Sequence, residues 1–211
     1  MSGTTGDEDG ERLTPGARRI LDIASELFYS RGIHAVGVDT IAAESGVTKR
    51  TLYDRFGSKD GLVLTYLKVR DRRWRDLVGT RLDAVPVDAV QRVLAPFDVL
   101  PEWLTESTRG CSFVNAFAEL PEPDHPGRQL IVSEKKWLRD LFYELLVEAG
   151  LDDPDDLAVQ LLSLHEGAIV SYSIASQPNA ASAARAAAQA LITQAIGGRL
   201  GRGSTVHRAE P

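Results

Sequence analysis

Three glycines, Gly32, Gly46 and Gly57, constrain this chain more than any other feature, because each follows a run with apolar residues at helical spacing. A glycine just past such a run is a common helix stop. The first run opens at Thr14, whose hydroxyl can cap, with Pro15 suited to the first turn. Ala17, Leu21, Ala24, Leu27 and Phe28 then recur along one face up to Gly32. After a link around His34 to Gly37, VDTIAAESG places Val38, Ile41 and Ala42 together and stops at Gly46. Thr48 can open a third helix, TKRTLYDRF, in which Leu52 and Phe56 lie four apart and face inward. Three short helices joined by such short links leave a compact three-helix unit as the expected packing.

Ser58 is placed to cap a fourth, longer helix running through Lys59, Leu62, Leu64, Tyr66 and Leu67 to Trp74 and Leu77. Pro86, Pro96, Pro101, Pro121, Pro123 and Pro126 then punctuate shorter helices, whereas Leu130 to Ala149 and Asp156 to Ser176 read as long ones. An alanine-rich helix follows from Asn179 to Ile196, with Gly197-Gly198 as its expected stop. No strand alternation and no fixed-period repeat is visible. The expected class is all-α: residues 1–13 a disordered tail, 14–60 a three-helix helix-turn-helix domain, 61–198 a helical ligand-binding and dimerisation domain, and 199–211 a second disordered tail.

The motif Ile41 to Leu62, IAAESGVTKRTLYDRFGSKDGL, matches a helix, glycine-centred turn and second helix of the kind that reads DNA. With Leu52 and Phe56 turned to the core, Arg50 and Asp54 point outward, flanked by Thr51 and Tyr53, and Lys49 can swing across. The formal charge of the whole chain is −6, which argues against a uniformly basic nucleic-acid binder. Lys49, Arg50 and Arg55 nevertheless outnumber Asp54 here, so the positive field sits where a groove needs it.

These spacings closely resemble the TetR family of regulators. The elements that carry the likeness are Leu27-Phe28, Gly32, Ile41-Ala42, Gly46-Val47-Thr48, Leu52-Tyr53, Phe56 and Ser58-Lys59. One position departs from the family pattern: Gly37 stands where Ser or Thr usually caps the second helix, a weaker cap. The resemblance implies that Lys49, Arg50, Thr51 and Asp54 face base edges, while Thr48, Tyr53 and Lys59 hold phosphates. Arg50 or Lys49 can bond a guanine, and Asp54 can accept from a cytosine amino group or repel wrong bases. The alternatives are a solvated charged face for Lys49, Arg50 and Lys59, ring packing against the first helix for Tyr53, and an ion pair with Arg50 for Asp54.

For the body, the resemblance implies a small-molecule pocket and a homodimer through the last two long helices. The sequence independently supports pairing: Leu161 to Ala175 is apolar on more than one face and carries the small residues Gly167, Ala168 and Ser171, and Ala180 to Ala195 offers an alanine surface. Pocket candidates are Tyr66, Trp103, Phe113, Phe117 and Trp137 with the polar Asn115 and His165, against the alternative of ordinary core packing. GCSFVNAFAEL, Gly110 to Leu120, resembles a segment of some TetR-like bodies. The expected function is a ligand-responsive transcriptional regulator, a repressor that binds a pseudo-palindromic double-stranded operator as a dimer and is released by a partly apolar effector.

Other classes find little support. There is no GxSxG, P-loop, dinucleotide fingerprint or HExxH, so neither an enzyme nor a cofactor is expected. The rival readings are an all-helical enzyme, which would turn over a pocket-bound compound without binding DNA, and a helical interaction protein that has lost its DNA role, which need not keep Lys49-Arg50. Cys111 is the sole cysteine, which leaves no intrachain disulfide and no multi-cysteine metal site. Its thiol is expected to pack rather than sense oxidants. His34, His125, His165 and His207 are too scattered for a metal constellation. MSGTTGDEDGE lacks the features of a secretory leader, and the apolar stretch from Gly167 to Ala184 is interrupted by polar residues, so a cytoplasmic protein without a membrane span is expected.

Overall fold

The computed structural model describes residues 13–85 and 88–203, and these form ten α-helices with no strand. They divide into two compact units. One takes the described residues through Trp74 together with Ser112–Ser133; the other takes Arg75–Cys111 and the described residues from Glu134 onward.

In the first unit, α1 (Pro15–Arg31) starts where expected: Thr14 Oγ1 accepts from the Ala17 amide at 3.4 Å. Its buried face is Ala17, Ile20, Leu21, Ala24, Leu27 and Phe28. Helix α2 (Val38–Ser45) buries Ile41, Ala42 and Ser45, and Gly37 supplies no side-chain cap. Helix α3 (Lys49–Phe56) is anchored by Leu52, which is fully buried, while Phe56 is only half-buried. The unit continues with α4 (Lys59–Ala84) as far as Trp74, burying Leu62, Val63, Tyr66 and Leu67, and adds α7 (Ser112–Glu119) and the start of α8 (Pro126–Glu148).

The second unit holds the rest of α4 and α8 with α5 (Ala89–Asp98), α6 (Leu100–Thr105), α9 (Asp155–Ser173) and α10 (Ala180–Gly203). Its core joins Leu94, Phe97, Leu138, Phe142, Leu161 and Ile192, with the Phe97 and Phe142 rings 5.6 Å apart. Helix α10 packs along α9 and α5 through Ala181, Ala184 and Ala188, which are small enough to let the axes come close.

Several features depart from the sequence reading. Helix α10 runs through Gly197-Gly198 to Gly203, so residues 199–203, expected in the tail, are helical. Each glycine costs only about 1 kcal/mol in a helix interior, and no proline stands between Gly197 and Gly203 to force an end. Residues 1–12 and 204–211, the greater part of both expected tails, lie outside the described residues, as does Pro86. Pro96 lies inside α5 rather than at an end, and α9 stops at Ser173. By compactness the two units part after Trp74, within the unbroken α4, and 112–133 packs with the N-terminal helices.

Candidate nucleic-acid interface

The turn between α2 and α3 is built by Gly46, at φ 66 and ψ 25, whose left-handed backbone lets the Val47 amide reach the Ala42 carbonyl at 3.2 Å. Thr48 then caps α3: its Oγ1 accepts from the Thr51 amide at 3.2 Å and lies 3.0 Å from Thr51 Oγ1. With Leu52 buried, the opposite face of the helix presents Lys49, Arg50, Tyr53, Asp54 and Arg55 to solvent, with the Arg50 side chain 90% exposed. Thr51 and Lys59 are half-buried.

Two ion pairs lie across this face. Lys49 pairs with Asp39 of α2, and Arg50 meets Asp54 at 3.7 Å one turn along the helix. All four side chains are more than half exposed, so each pair is worth under about 1 kcal/mol and an incoming phosphate or guanine can displace it. The geometry of the protein alone therefore contains the local partner weighed above for Asp54, and leaves both cations within reach of a ligand. Lys59 opens α4, where Ser58 Oγ accepts from the Gly61 amide at 3.0 Å and unpaired helical amides favour an anion.

Two positions that sequence reasoning passed over hold this motif in place. A Cβ on Gly61 would lie 2.1 Å from the Phe56 carbonyl oxygen, a backbone atom, so only glycine lets α4 begin so close under the end of α3. The signal was an isolated glycine inside a helical pattern. Gly61→Ala is expected to lower stability by about 1–3 kcal/mol and to weaken DNA binding as the junction shifts. Urea unfolding and a DNA titration of the same preparation check this; wild-type values in both would contradict it. The second is Glu119, the last residue of α7. Its Oε1 accepts from the Ile33 amide at 3.0 Å and its Oε2 from the His34 amide at 2.7 Å, with His34 Nδ1 at 3.3 Å. Burial alone would raise its pKa, but hydrogen bonds from the His34 and Ile33 amides and the His34 ring hold it below the ordinary carboxylate value. An acid in the last turn of a helix, against the dipole, was the available clue.

The seven pocket candidates fall into both units. Tyr66, Phe113, Asn115 and Phe117 belong to the first: Tyr66 is buried with its ring 5.9 Å from Phe28, Phe113 is buried, Asn115 is half-buried, and Phe117 is exposed beneath the Arg128 guanidinium at 3.7 Å. Trp103, Trp137 and His165 belong to the second: Trp103 is buried, Trp137 carries the Arg75 guanidinium at 4.5 Å, and His165 is buried edge-on to Phe97 and Phe142. A groove of about 510 Å³ in the first unit, beside Lys59 and His125, and one of about 920 Å³ in the second, beside Leu157 and Leu191, are lined by none of the seven.

Beside His165 the second unit holds a charged cluster that the sequence did not announce. Lys135 Nζ lies 2.7 Å from Glu166, 3.2 Å from Glu134 and 3.7 Å from Cys111 Sγ. Burial would lower the lysine pKa, but the Cys111 sulfur and the two carboxylates raise it. Burial would raise Glu166, yet His165 and Lys135 bring it down to about 2. His165 itself is shifted down by burial, against the raising effect of Glu166. No group of metal-ligating side chains occurs among the described residues, which exclude His207, and no described helix is long and apolar enough to cross a membrane.

Residues 20–66, from α1 into α4, match the family of bacterial regulatory proteins named for tetR. The HTH-type transcriptional activator FasR of Mycolicibacterium smegmatis is 32% identical over 152 residues, covering 70% of this chain and 67% of the relative. Among solved structures, a TetR-family transcriptional regulator from Streptomyces coelicolor superposes with a TM-score of 0.82 at 30% identity, covering 90% of this chain and 97% of that one. A TetR-type regulator from Streptomyces avermitilis gives a TM-score of 0.71 at 26% identity, covering 88% and 99%. These proteins are regulators rather than enzymes. The chain belongs to the TetR family and is a DNA-binding transcriptional regulator.

Proposed function

We propose that this regulator acts in the cytoplasm as a homodimer on a pseudo-palindromic operator, as a repressor released by a small, partly apolar effector. The observation that carries the operator reading is the outward face of α3, where Lys49, Arg50, Tyr53 and Asp54 are all exposed while Leu52 fixes the helix from behind. In this reading Lys49, Arg50, Thr51 and Asp54 meet base edges, and Thr48, Tyr53 and Lys59 meet phosphates. For the effector, the aromatic side chains Trp103 and Trp137 with His165 are the second unit's candidates, and Tyr66, Phe113, Asn115 and Phe117 the first unit's.

Dimerisation is supported by the face of α9 that its own core leaves uncovered. Val159, Ser163, Gly167, Val170 and Ile174 fall within one stripe at helical spacing, and Val159, Val170 and Ile174 are 51%, 53% and 77% exposed. Of the small residues singled out for close approach, Gly167 is exposed and Ser171 half-buried, whereas Ala168 belongs to the core. A pseudo-palindromic operator is read by two recognition helices about one DNA turn apart, which a dimer supplies. Activation is the alternative sense of regulation, because the relative from M. smegmatis is named an activator.

Val170→Glu tests the dimer and the operator together. Val170 is exposed, so the variant is expected to fold, to sediment as a monomer and to bind a pseudo-palindrome about 10²–10⁴-fold more weakly as the joint effect of two tethered half-sites is lost. A persistent dimer, or a monomer with undiminished affinity, would overturn the reading.

A further inference from the structure

We propose that Glu119 is a positioning residue for DNA binding, its ionised carboxylate holding the α1–α2 turn that sets α2 and, through it, the reading helix α3. The carboxylate reaches that turn from 85 residues along the chain. Each oxygen accepts one backbone amide, Oε1 from Ile33 and Oε2 from His34, and hydrogen bonds to a charged acceptor are stronger than neutral ones. Ile33 is only 6% exposed, so its amide depends on this acceptor rather than on water.

The surrounding backbone is shaped to admit the carboxylate. Gly32 sits at φ +96, and a Cβ there would come within 3.1 Å of Glu119 Oε1, so a side chain would crowd the contact as well as strain the backbone. Downstream, Val36 is buried and its amide returns to the Ile33 carbonyl at 3.4 Å, carrying the constraint to the start of α2. That start has no side-chain cap, because Gly37 has none to give, so the entry angle of α2 is fixed from upstream. Helix α2 packs on both α1 and α3, which passes the position of the turn to the face that meets DNA.

Glu119 sits at the C-terminus of α7, where the helix dipole disfavours an anion, so local preference does not account for the residue. The segment 112–133 that carries it is joined covalently at both ends to the second unit.

The inference rests on the DNA-binding reading, and the experiment keeps the two apart. Full-length protein labelled with ¹⁵N at histidine and isoleucine is compared with Glu119→Gln and Glu119→Asp, with Glu122→Gln as an exposed control. DNA affinity is measured with the duplex that the wild type selects from a random pool, at a temperature where circular dichroism shows every variant folded. The His34 and Ile33 amide protons are expected to resonate downfield in the wild type and to return upfield in Glu119→Gln. The same variant is expected to lose about tenfold or more in DNA affinity, the size of one charge-assisted hydrogen bond. Glu119→Asp, which keeps the charge on a shorter arm, should lie between, and Glu122→Gln should match the wild type. Amide signals that ignore Glu119→Gln would overturn the latch, and shifted signals with unchanged affinity would reduce it to a cap without a role in binding. The amides are read without DNA, so a wild type that selects no duplex would indict the DNA-binding reading alone.

Discussion

Asp98→Ala is expected to lower stability by about 3 kcal/mol, a fall of roughly 6–12 °C in the unfolding midpoint for a chain of this size. Asp98 ends α5 with its side chain only 11% exposed, and both of its oxygens are committed. Oδ2 accepts from Arg81 Nε at 3.0 Å and Nη2 at 2.6 Å, and Oδ1 accepts from Arg185 Nε at 2.5 Å. Arg185 also donates to Gln91 at 3.1 Å, so one carboxylate ties α4, α5 and α10 into a single unit. Its loss leaves two guanidinium groups facing each other with no anion between them. They are 41% and 31% exposed and can partly turn to water, which places the cost at the lower end for a broken buried pair. Calorimetry on the full chain decides: a midpoint within 2 °C of wild type would mean that solvent already screens this network.

Arg50→Ala and Lys59→Ala are expected to separate base reading from phosphate holding. A bidentate contact to a guanine is worth about 1–3 kcal/mol, so Arg50→Ala should weaken the preferred duplex about 5- to 150-fold and relax discrimination at one base position. Little is lost in the free protein, since the Arg50–Asp54 pair is long and open to solvent. Lys59→Ala should weaken preferred and scrambled duplexes alike and reduce the steepness of the salt dependence. Competition titrations over a range of salt distinguish the two behaviours; equal effects on every sequence for both variants would contradict the assignment.

The helix-turn-helix was legible because its information is local. Thr14, Thr48 and Ser58 cap the helices they precede, Gly32, Gly46 and Gly57 follow the ones they end, and Leu52 is the buried anchor that its spacing implied. The end of α10 was misread for the complementary reason: a glycine pair is a stop only when the chain beyond it gains by leaving the helix, and here the helix continues to Gly203. Glu119, Asp98 and Lys135 were not legible, because each acts on residues of distant helices and none carries a motif. The pocket candidates were chosen as large rings among apolar neighbours, a pattern shared by ligand walls and ordinary cores. Tyr66 beside Phe28 and His165 between Phe97 and Phe142 show why it cannot separate them.

Whether the exposed face of α3 reads a specific sequence is decided by selecting random duplex DNA on the purified full-length protein at stated salt. Enrichment of one pseudo-palindrome with half-sites about 10 base pairs apart is expected, and relaxation at one symmetric pair of positions when the selection is repeated with Arg50→Ala. Folded protein that enriches no sequence even at low salt would contradict it.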